Sequence, residues 1–436
     1  MKRNLLFLPL LIFFLFFLHP VHAQGDGPLV LVLTINGPIT PAMHDYLSRG
    51  LQIAEQRDAE AVILELNTPG GDSQTMFNMI QAIRTSHVPV VIYVSPRGAM
   101  AGSAGAIITL AGHAAAMAPE TAIGAASPVG AEGEDLSETL RAKATEITKA
   151  NVRPLVERRG PEATRLAEEM IDKARAVSSK EALEVGLIDI LADDLDDLLR
   201  QLNGFTVETA YGPRTLHTTG AVVNILPMTL IEQLLLMLTN PNVVLLLLSI
   251  GVQALLIEIS SPGGWAAGFI GAVCLALAAY GLGILPVNWF GLVFLIIAFV
   301  LFILDIKAPT HGGLTMAGIG SFIVGALVLF NSPGTPEFQR VSIPLVILIA
   351  IIIGLTFAII LGFALRAQKA PIRTGQESMV RQRGIARTDI DPSGQVQVGS
   401  ELWTAELAAG EKPIKRGERV EVEAVEGLRL IVRKAK

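Results

Sequence analysis

The sequence predicts an α/β domain of parallel βαβ units, followed by a bundle of transmembrane helices and a small all-β domain. Apolar strands and amphipathic helices alternate over residues 28–190, a pattern typical of right-handed βαβ units. Apolar residues make up 51% of the 436 residues and are concentrated in residues 1–20 and 228–366. Short alternating segments, separated by Gly and Pro, fill residues 384–434.

Residues 1–23 are predicted to be a secretory signal. Lys2 and Arg3 precede a short apolar core, and Val21-His22-Ala23 gives a small-x-small cleavage pattern. An uncleaved membrane anchor is the alternative. In either case the following domain is expected outside the cytoplasm.

The predicted α/β domain spans residues 24–205, and residues 206–227 are predicted to be a linker or a small β cap. Its strands are apolar runs that end in turns, and its helices follow from helical spacing of apolar residues. In chain order we predict a strand at 28–37, a helix at 38–58, a strand at 61–66, a helix at 73–85, a strand at 88–94, helices at 103–110, 138–158 and 161–173, and a short helix, turn and strand over 179–190.

Residues 228–366 have the length and hydropathy of a transmembrane domain. Met228–Leu238 is amphipathic and is expected at the membrane interface. Five spans are predicted, with four as the alternative, at 242–259, 265–284, 288–306, 313–330 and 342–365.

Basic residues follow the last predicted span, which places that end in the cytoplasm. With the signal at the other end, an odd number of spans is required, and this favours five. We therefore expect an integral protein of a bacterial inner membrane, with the α/β domain extracytoplasmic. The last domain, residues 367–436, is expected in the cytoplasm with an OB-like fold.

Composition excludes several other classes of function. The net charge of −6 and the lack of a basic cluster interleaved with aromatics argue against nucleic-acid binding. The single cysteine, Cys274, allows no intrachain disulfide, and the histidines show no metal-ligand spacing. No metal and no cofactor are predicted.

Two loops carry residue types that suit acyl transfer. Asn67-Thr68-Pro69-Gly70-Gly71 follows a buried strand, and Gly102-Ser103-Ala104-Gly105 begins a helix. Taken singly, the first loop is more often a tight turn and the serine is more often a helix N-cap.

Together the two loops are more informative, because the C-terminal ends of neighbouring parallel strands meet at one edge of a sheet. The N–H groups of Gly71 and Ala104 could then surround one oxygen, with Ser103 beside them. This pattern suits a serine nucleophile and an oxyanion hole.

A nucleophilic serine also needs a base. His113 lies ten residues after Ser103, on the same predicted helix, which places it about 15 Å away and on another face. His87 precedes its strand and lies at the wrong end of the sheet. A lysine remains, and the spacing does not choose between Lys143 and Lys149.

The PGG loop, the GSAG serine and the ALEVGLID ending resemble the ClpP/crotonase superfamily of spiral βαβ folds. More closely, the chain resembles the long form of the NfeD family, the stomatin operon partner proteases. The resemblance covers nearly the whole chain and is most specific in SPRGAMAGSAGAIITLAGHAAAMAPETAIGAASPVG.

The resemblance implies a serine–lysine catalytic pair without histidine. The family serine maps onto Ser103 and the family lysine onto Lys143, while the oxyanion hole maps onto Gly71 with the N–H of Ala104. It also implies cleavage of hydrophobic, membrane-proximal peptides, a stomatin-like or slipin-like partner or substrate, and a homo-oligomer.

Gly70 and Gly102 flank these residues and are expected to line the substrate site. The chain departs from the family where a small polar residue often precedes the nucleophile, since Met100, Ala101 and Gly102 stand there. Two other functions compete with the protease. One is a non-catalytic membrane scaffold for a stomatin-like protein, and the other is a crotonase-like acyl-thioester enzyme, which requires a coenzyme A pocket.

Overall fold

The computed structural model describes residues 27–435 except 131–135, 261–262, 308–309, 311, 332–334, 336–338 and 369–378. The predicted signal at 1–23 lies outside the described residues. The chain divides into two compact units, Met1–Gly354 and Leu355–Lys436.

A six-stranded parallel sheet forms the centre of the first unit. In spatial order its strands are β11 (Val222–Ile225), β1 (Leu29–Asn36), β2 (Ala61–Asn67), β3 (Val90–Val94), β5 (Ala114–Met117) and β8 (Ile190–Leu191). Both faces of the sheet are buried: Leu31 lies in the hydrophobic core on one face, and Val32 in the core on the other. This explains why the strands are continuous apolar runs, as is usual for parallel sheets. The predicted α/β architecture is confirmed.

Seven helices and a second, smaller sheet surround this centre within the described residues. The helices are α1 (Pro41–Gln56), α2 (Ser73–Arg84), α3 (Ala104–Ala111), α4 (Glu138–Val156), α5 (Pro161–Asp172), α6 (Ser179–Glu184) and α7 (Leu195–Leu202). The smaller sheet contains β4 (Met100–Gly102), β6 (Ala122–Gly124) and β7 (Ala176–Ser178), with β4 and β6 parallel. Three-residue strands are too short to show a period, so the sequence did not reveal them.

Residues 206–227, predicted as a linker or small β cap, are part of the α/β domain rather than a free linker. β9 (Thr206–Thr209) and β10 (Gly212–Thr215) form a hairpin. β11 then pairs in parallel with β1, with Leu29 opposite Val222. The Leu226 N–H continues the contact by donating to the Val32 carbonyl at 2.9 Å. A four-residue strand that pairs with the start of the domain leaves no local signal in the sequence.

In the described part of the chain, six helices follow the sheet domain. They are α8 (Leu230–Met237), α9 (Pro241–Ser260), α10 (Ala266–Ile284), α11 (Trp289–Lys307), α12 (Gly313–Phe330) and α13 (Ile343–Gln368). The five segments predicted as spans are thus all helical. In the part of the chain whose side chains are described, α9, α10 and α12 are long and apolar enough to cross a membrane.

The membrane helices include two similar hairpins, α9–α10 and α11–α12. In each, a carboxylate near the end of the first helix accepts hydrogen bonds from the start of the second. Glu258 accepts from the N–H groups of Trp265 and Gly268, both at 3.2 Å, and Asp305 accepts from the N–H of Thr315 at 3.3 Å. These bonds satisfy N–H groups that every helix leaves free at its start.

The second unit contains a closed five-stranded barrel. Around the barrel the order is β12 (Arg383–Ala386), β13 (Ser393–Val398), β14 (Glu401–Leu407), β16 (Arg429–Lys434) and β15 (Arg419–Glu426). β14 and β16 are parallel and the other pairs are antiparallel. Alternating residues such as Val396, Val420 and Leu430 fill the interior. The predicted OB-like domain is confirmed.

Candidate active site

Ser103 joins β4 to α3 in a strained conformation. Its φ is +50° and its ψ is −116°, a region that residues with a Cβ rarely occupy. Its N–H donates to the Gly124 carbonyl at 2.8 Å, so the neighbouring strand β6 holds the backbone in place. Such strain, of about 1–3 kcal/mol, typically collects at functional sites. A serine between a strand and a helix on a tight turn also occurs in hydrolases that use it as a nucleophile.

The Ser103 side chain does not cap α3. It occupies the N-cap position, but its hydroxyl accepts no hydrogen bond from the first turn of the helix. The side chain is half-buried rather than enclosed. The N-cap interpretation therefore does not account for this serine.

The Gly70 loop lies directly against Ser103, as the sequence predicted. A Cβ built on Gly70 would lie 2.6 Å from the Ser103 Cβ and 3.2 Å from its Oγ. Gly70 has a φ of +118°, which also favours glycine. A Cβ on Gly102 would lie 3.0 Å from the Pro69 carbonyl oxygen. The absence of side chains at Gly70 and Gly102 is what brings the two loops together.

Thr68 fixes the relative position of the two loops. Its N–H donates to the Met100 carbonyl at 2.8 Å, and its carbonyl accepts from the Gly102 N–H at 2.9 Å. Its hydroxyl accepts from the Gly70 N–H and donates to the Gly70 carbonyl, both at 3.1 Å. A Cβ on Gly105 would overlap the Thr68 methyl at 2.4 Å, which explains the second glycine of the GSAG motif.

The proposed oxyanion donors are unpaired within the described part of the chain. Gly71 forms a parallel bridge with Ile39. In this bridge the Ile39 N–H donates to the Gly70 carbonyl, and the Asp72 N–H donates to the Ile39 carbonyl. The Gly71 N–H takes no part in that pair of bonds. Ala104 is the first residue of α3, where an N–H has no partner within its own helix.

Lys143 and Lys149 lie in different surroundings on α4. Six residues separate them, which is about 600° of rotation, so they face different directions. Lys149 bonds to Asp172 at 2.6 Å and to Glu146 at 3.3 Å, and these acceptors raise the pKa of its amine. A base must be deprotonated, so Lys149 is unsuited to the task. Lys143 is exposed and forms no ion pair among the described residues.

Neither His113 nor His87 is placed to act as the base. α3 ends at Ala111, so His113 lies beyond the helix on which the sequence placed it. His113 is fully buried, and its Nδ1 accepts from the Val90 N–H at 3.0 Å. Burial, with a smaller contribution from Arg84, lowers its pKa to about 4. His87 stacks on Tyr211 with ring centroids 3.8 Å apart.

Thr68 and Gly124 were absent from the sequence-based site. Thr68 lies inside the Asn-Thr-Pro-Gly-Gly loop, so the motif pointed to it, but the bonds of its hydroxyl depend on the folded turn. Gly124 contributes only its carbonyl, and no side-chain pattern could reveal it. Among the described residues, no group of three His, Cys, Asp or Glu side chains could hold a metal ion.

Three family models match the chain. The NfeD1b N-terminal domain matches residues 29–210, the NfeD integral membrane domain matches 242–363, and the NfeD-like C-terminal, partner-binding domain matches 376–434. The first model contains both loops of the site and α4.

The chain is similar to other proteins along nearly its whole length. A membrane-bound protease of Pyrococcus horikoshii is 37% identical over 443 residues, covering 99% of this chain and 98% of that protein. Membrane protein NfeD1b of Bacillus subtilis is 28% identical and covers 95% and 94%. A solved structure of a lysine-to-alanine mutant of a membrane-bound stomatin-specific protease, in complex with a substrate peptide, is 36% identical with a TM-score of 0.45. It covers 48% of this chain and 97% of that chain. From the three matched domains and the full-length relatives, the chain is a long-form member of the NfeD family of membrane proteins.

Proposed function

We propose that this protein is a membrane-anchored serine peptidase with Ser103 as its nucleophile. The observation that carries the proposal is the contact between the Gly70 loop and Ser103, whose strained backbone presents a hydroxyl that caps nothing. The naming of a full-length relative as a membrane-bound protease agrees with it.

In the proposed reaction, the Ser103 Oγ attacks a peptide carbonyl while neutral Lys143 accepts the hydroxyl proton. The N–H groups of Gly71 and Ala104 donate to the oxyanion of the tetrahedral intermediate. The Lys143 ammonium then gives its proton to the leaving amine. A water molecule then attacks the acyl-enzyme while Lys143 accepts its proton. The proton returns to the Ser103 Oγ, and the carboxylic acid product is released.

A lysine works as a base only in its neutral form, and removal from water favours that form. Without a bound substrate the Lys143 side chain is exposed, in the N-terminal half of α4. Lys143 would therefore become competent only when it is covered, by the bound substrate or by a neighbouring copy of the chain.

The proposed substrates are apolar segments close to the membrane, in a stomatin-like or slipin-like partner. The related solved structure is that of a stomatin-specific protease, which supports this class of substrate. We expect an extended peptide backbone to run past Ser103 along Gly70 and Gly102, next to the exposed Met100 side chain. The domain would face the extracytoplasmic side, with the barrel in the cytoplasm.

We also propose that the chain forms a homo-oligomer. Leu140 and Ile147 are seven residues apart on α4, on one face of that helix, and both are exposed. A neighbouring copy that covered them would also shield Lys143, which lies between them.

The proposal is tested by cleavage of a fluorogenic apolar peptide with the purified full-length protein. Ser103→Ala should abolish turnover and Lys143→Ala should lower it by about 100-fold or more, while Ser400→Ala, on an exposed serine of the other unit, should retain it. Undiminished cleavage by either of the first two variants would exclude the assignment.

A scaffold that binds a stomatin-like protein without cleaving it is the second candidate. The match of residues 376–434 to a partner-binding domain favours it. Its test is complementation of cells that lack the gene. Full rescue by Ser103→Ala would support the scaffold, and failure to rescue, with normal protein levels, would support the peptidase.

A further inference from the structure

Helix α8 stands between the catalytic domain and the membrane helices. It begins five residues after β11, the edge strand of the central sheet. It ends at Met237, and α9 starts at Pro241. It lies outside the residues matched to the integral membrane domain, which start at 242.

One side of α8 is fixed to the catalytic domain. Glu232 is buried and accepts two hydrogen bonds from the Arg49 guanidinium of α1, at 2.7 and 2.8 Å. Arg49 also donates to the Pro227 carbonyl at 2.8 Å. Leu236 packs on the domain's hydrophobic core. Thr229 and Glu232 form a capping box that starts the helix.

The other side of α8 is apolar and exposed. Leu230, Ile231, Leu234 and Met237 are exposed by 78%, 70%, 60% and 55%. On a helical projection they fall within an arc of about 120°, opposite Glu232 and Leu236. Four large apolar side chains on one face of an eight-residue helix form an exposed apolar patch. Such patches mark sites that contact a membrane or another protein segment, here called the occupant.

The chain itself indicates what that occupant is. Only Leu238, Thr239 and Asn240 separate α8 from α9, the first membrane helix. A Cβ on Gly281, near the end of α10, would lie 2.6 Å from the Leu238 carbonyl oxygen, so α8 leads directly onto the membrane helices. A helix attached in this way is suited to lie at the level where the bilayer begins.

We propose that α8 is an interfacial helix whose Leu230, Ile231, Leu234 and Met237 side chains insert into the lipid of the extracytoplasmic leaflet. Helices of this kind bury an apolar face at the boundary of headgroups and acyl chains. Because the opposite face is bound to α1 through Arg49 and Glu232, the insertion also fixes the orientation of the catalytic domain at the membrane. This inference does not depend on the proposed peptidase activity.

The test uses spin labels on the full-length protein reconstituted in phospholipid vesicles. In a Cys274→Ser background, single cysteines replace Ile231, Leu234 or Met237, and Tyr211→Cys supplies a control. Tyr211 lies in the β9–β10 turn of the catalytic domain and is 62% exposed. For each spin label, the collision rate with oxygen, which concentrates in lipid, is compared with the collision rate with a water-soluble nickel chelate.

The labels on α8 should show a several-fold higher oxygen-to-nickel ratio than the label at position 211. A ratio at all three α8 positions equal to that of position 211 would mean that the face is in water, and would overturn the proposal. Protection from both reagents would also overturn it. In that case dipolar broadening between labels would identify a second copy of the chain as the occupant, and its absence would identify another protein segment.

Discussion

The Gly70 backbone lies so close to Ser103 that a Cβ on Gly70 would approach the Ser103 Cβ to 2.6 Å. This contact joins the loop after β2 to the start of α3, two segments that are 33 residues apart in the sequence. Gly71, whose N–H is the proposed oxyanion donor, is the next residue of the same loop. The proposed reaction depends on this contact more than on any other.

Gly70→Ala should therefore inactivate the protein while leaving it folded. The new methyl group would push Ser103 out of position, and a displacement of about 1 Å can reduce activity about 100-fold. Gly98→Ala is the matched control, since Gly98 also has a positive φ, +79°, but its Cβ would meet nothing within 4 Å. Backbone strain should cost the control about 1–2 kcal/mol of stability. Equal loss of kcat/KM in both variants would refute the role of the contact.

Lys143→Ala should lower kcat by about 100- to 10,000-fold, the usual contribution of a general base. Lys149→Ala should leave kcat unchanged, because that amine is bound by Asp172 and Glu146. It should cost about 1 kcal/mol or less in stability, as for other partly exposed ion pairs. Steady-state kinetics with an apolar peptide measures both effects. The reverse result, with Lys149→Ala inactive, would move the base to Lys149.

Thr68 is predicted to position the oxyanion loop rather than to touch substrate. Thr68→Val removes the hydroxyl that bonds to both the N–H and the carbonyl of Gly70. It should lower kcat about tenfold with little change in KM, and destabilise the domain by about 1–3 kcal/mol. Thr68→Ser, which keeps the hydroxyl, should restore kcat. If Thr68→Ser is as slow as Thr68→Val, the hydroxyl does not position the loop.

The two loops were expected to lie together because each was predicted to follow an apolar strand, and parallel strands bring their C-terminal ends together. In the structure Ser103 follows the short strand β4 rather than β3, and the backbone of Thr68 bonds to Met100 and Gly102. Spacing left Lys143 and Lys149 open, and only the family resemblance favoured Lys143. The ion pair that holds Lys149 could not be predicted, because Asp172 reaches Lys149 only after α5 folds back on α4.

The missed parts of the fold share one cause. β4, β6 and β11 have three or four residues each, and their pairing partners are distant in the chain. Short strands have no detectable period, so only the folded sheet reveals them. Residues 206–227 looked like a linker for this reason, although they supply an edge strand of the central sheet.

His113 should make the catalytic domain sensitive to acid. Burial lowers its pKa from 6.5 to about 4, so the folded state holds the neutral ring. Above pH 6.5 the imidazole is neutral in both the folded and the unfolded protein, and its full contribution to the free energy of unfolding is present. As the pH falls from 6.5 to 4, only the unfolded protein takes up the proton on His113. The free energy of unfolding therefore decreases by about 3 kcal/mol.

The measurement for His113 is hydrogen exchange of peptides that cover β3 and β5, between pH 7 and pH 4, corrected for intrinsic rates. In His113→Asn the side-chain oxygen can still accept from the Val90 N–H, but it does not titrate. Protection in this variant should lose most of its dependence on pH. An unchanged dependence would assign the acid sensitivity to other groups.

The central claim is that Ser103 is the nucleophile, and covalent labelling tests it most directly. The purified full-length protein is treated with a fluorophosphonate probe, and the modified residue is located by mass spectrometry. The account predicts one major adduct, on Ser103, which disappears in Ser103→Ala and forms more slowly in Lys143→Ala. An adduct on another serine, or labelling that persists undiminished in Ser103→Ala, would contradict it.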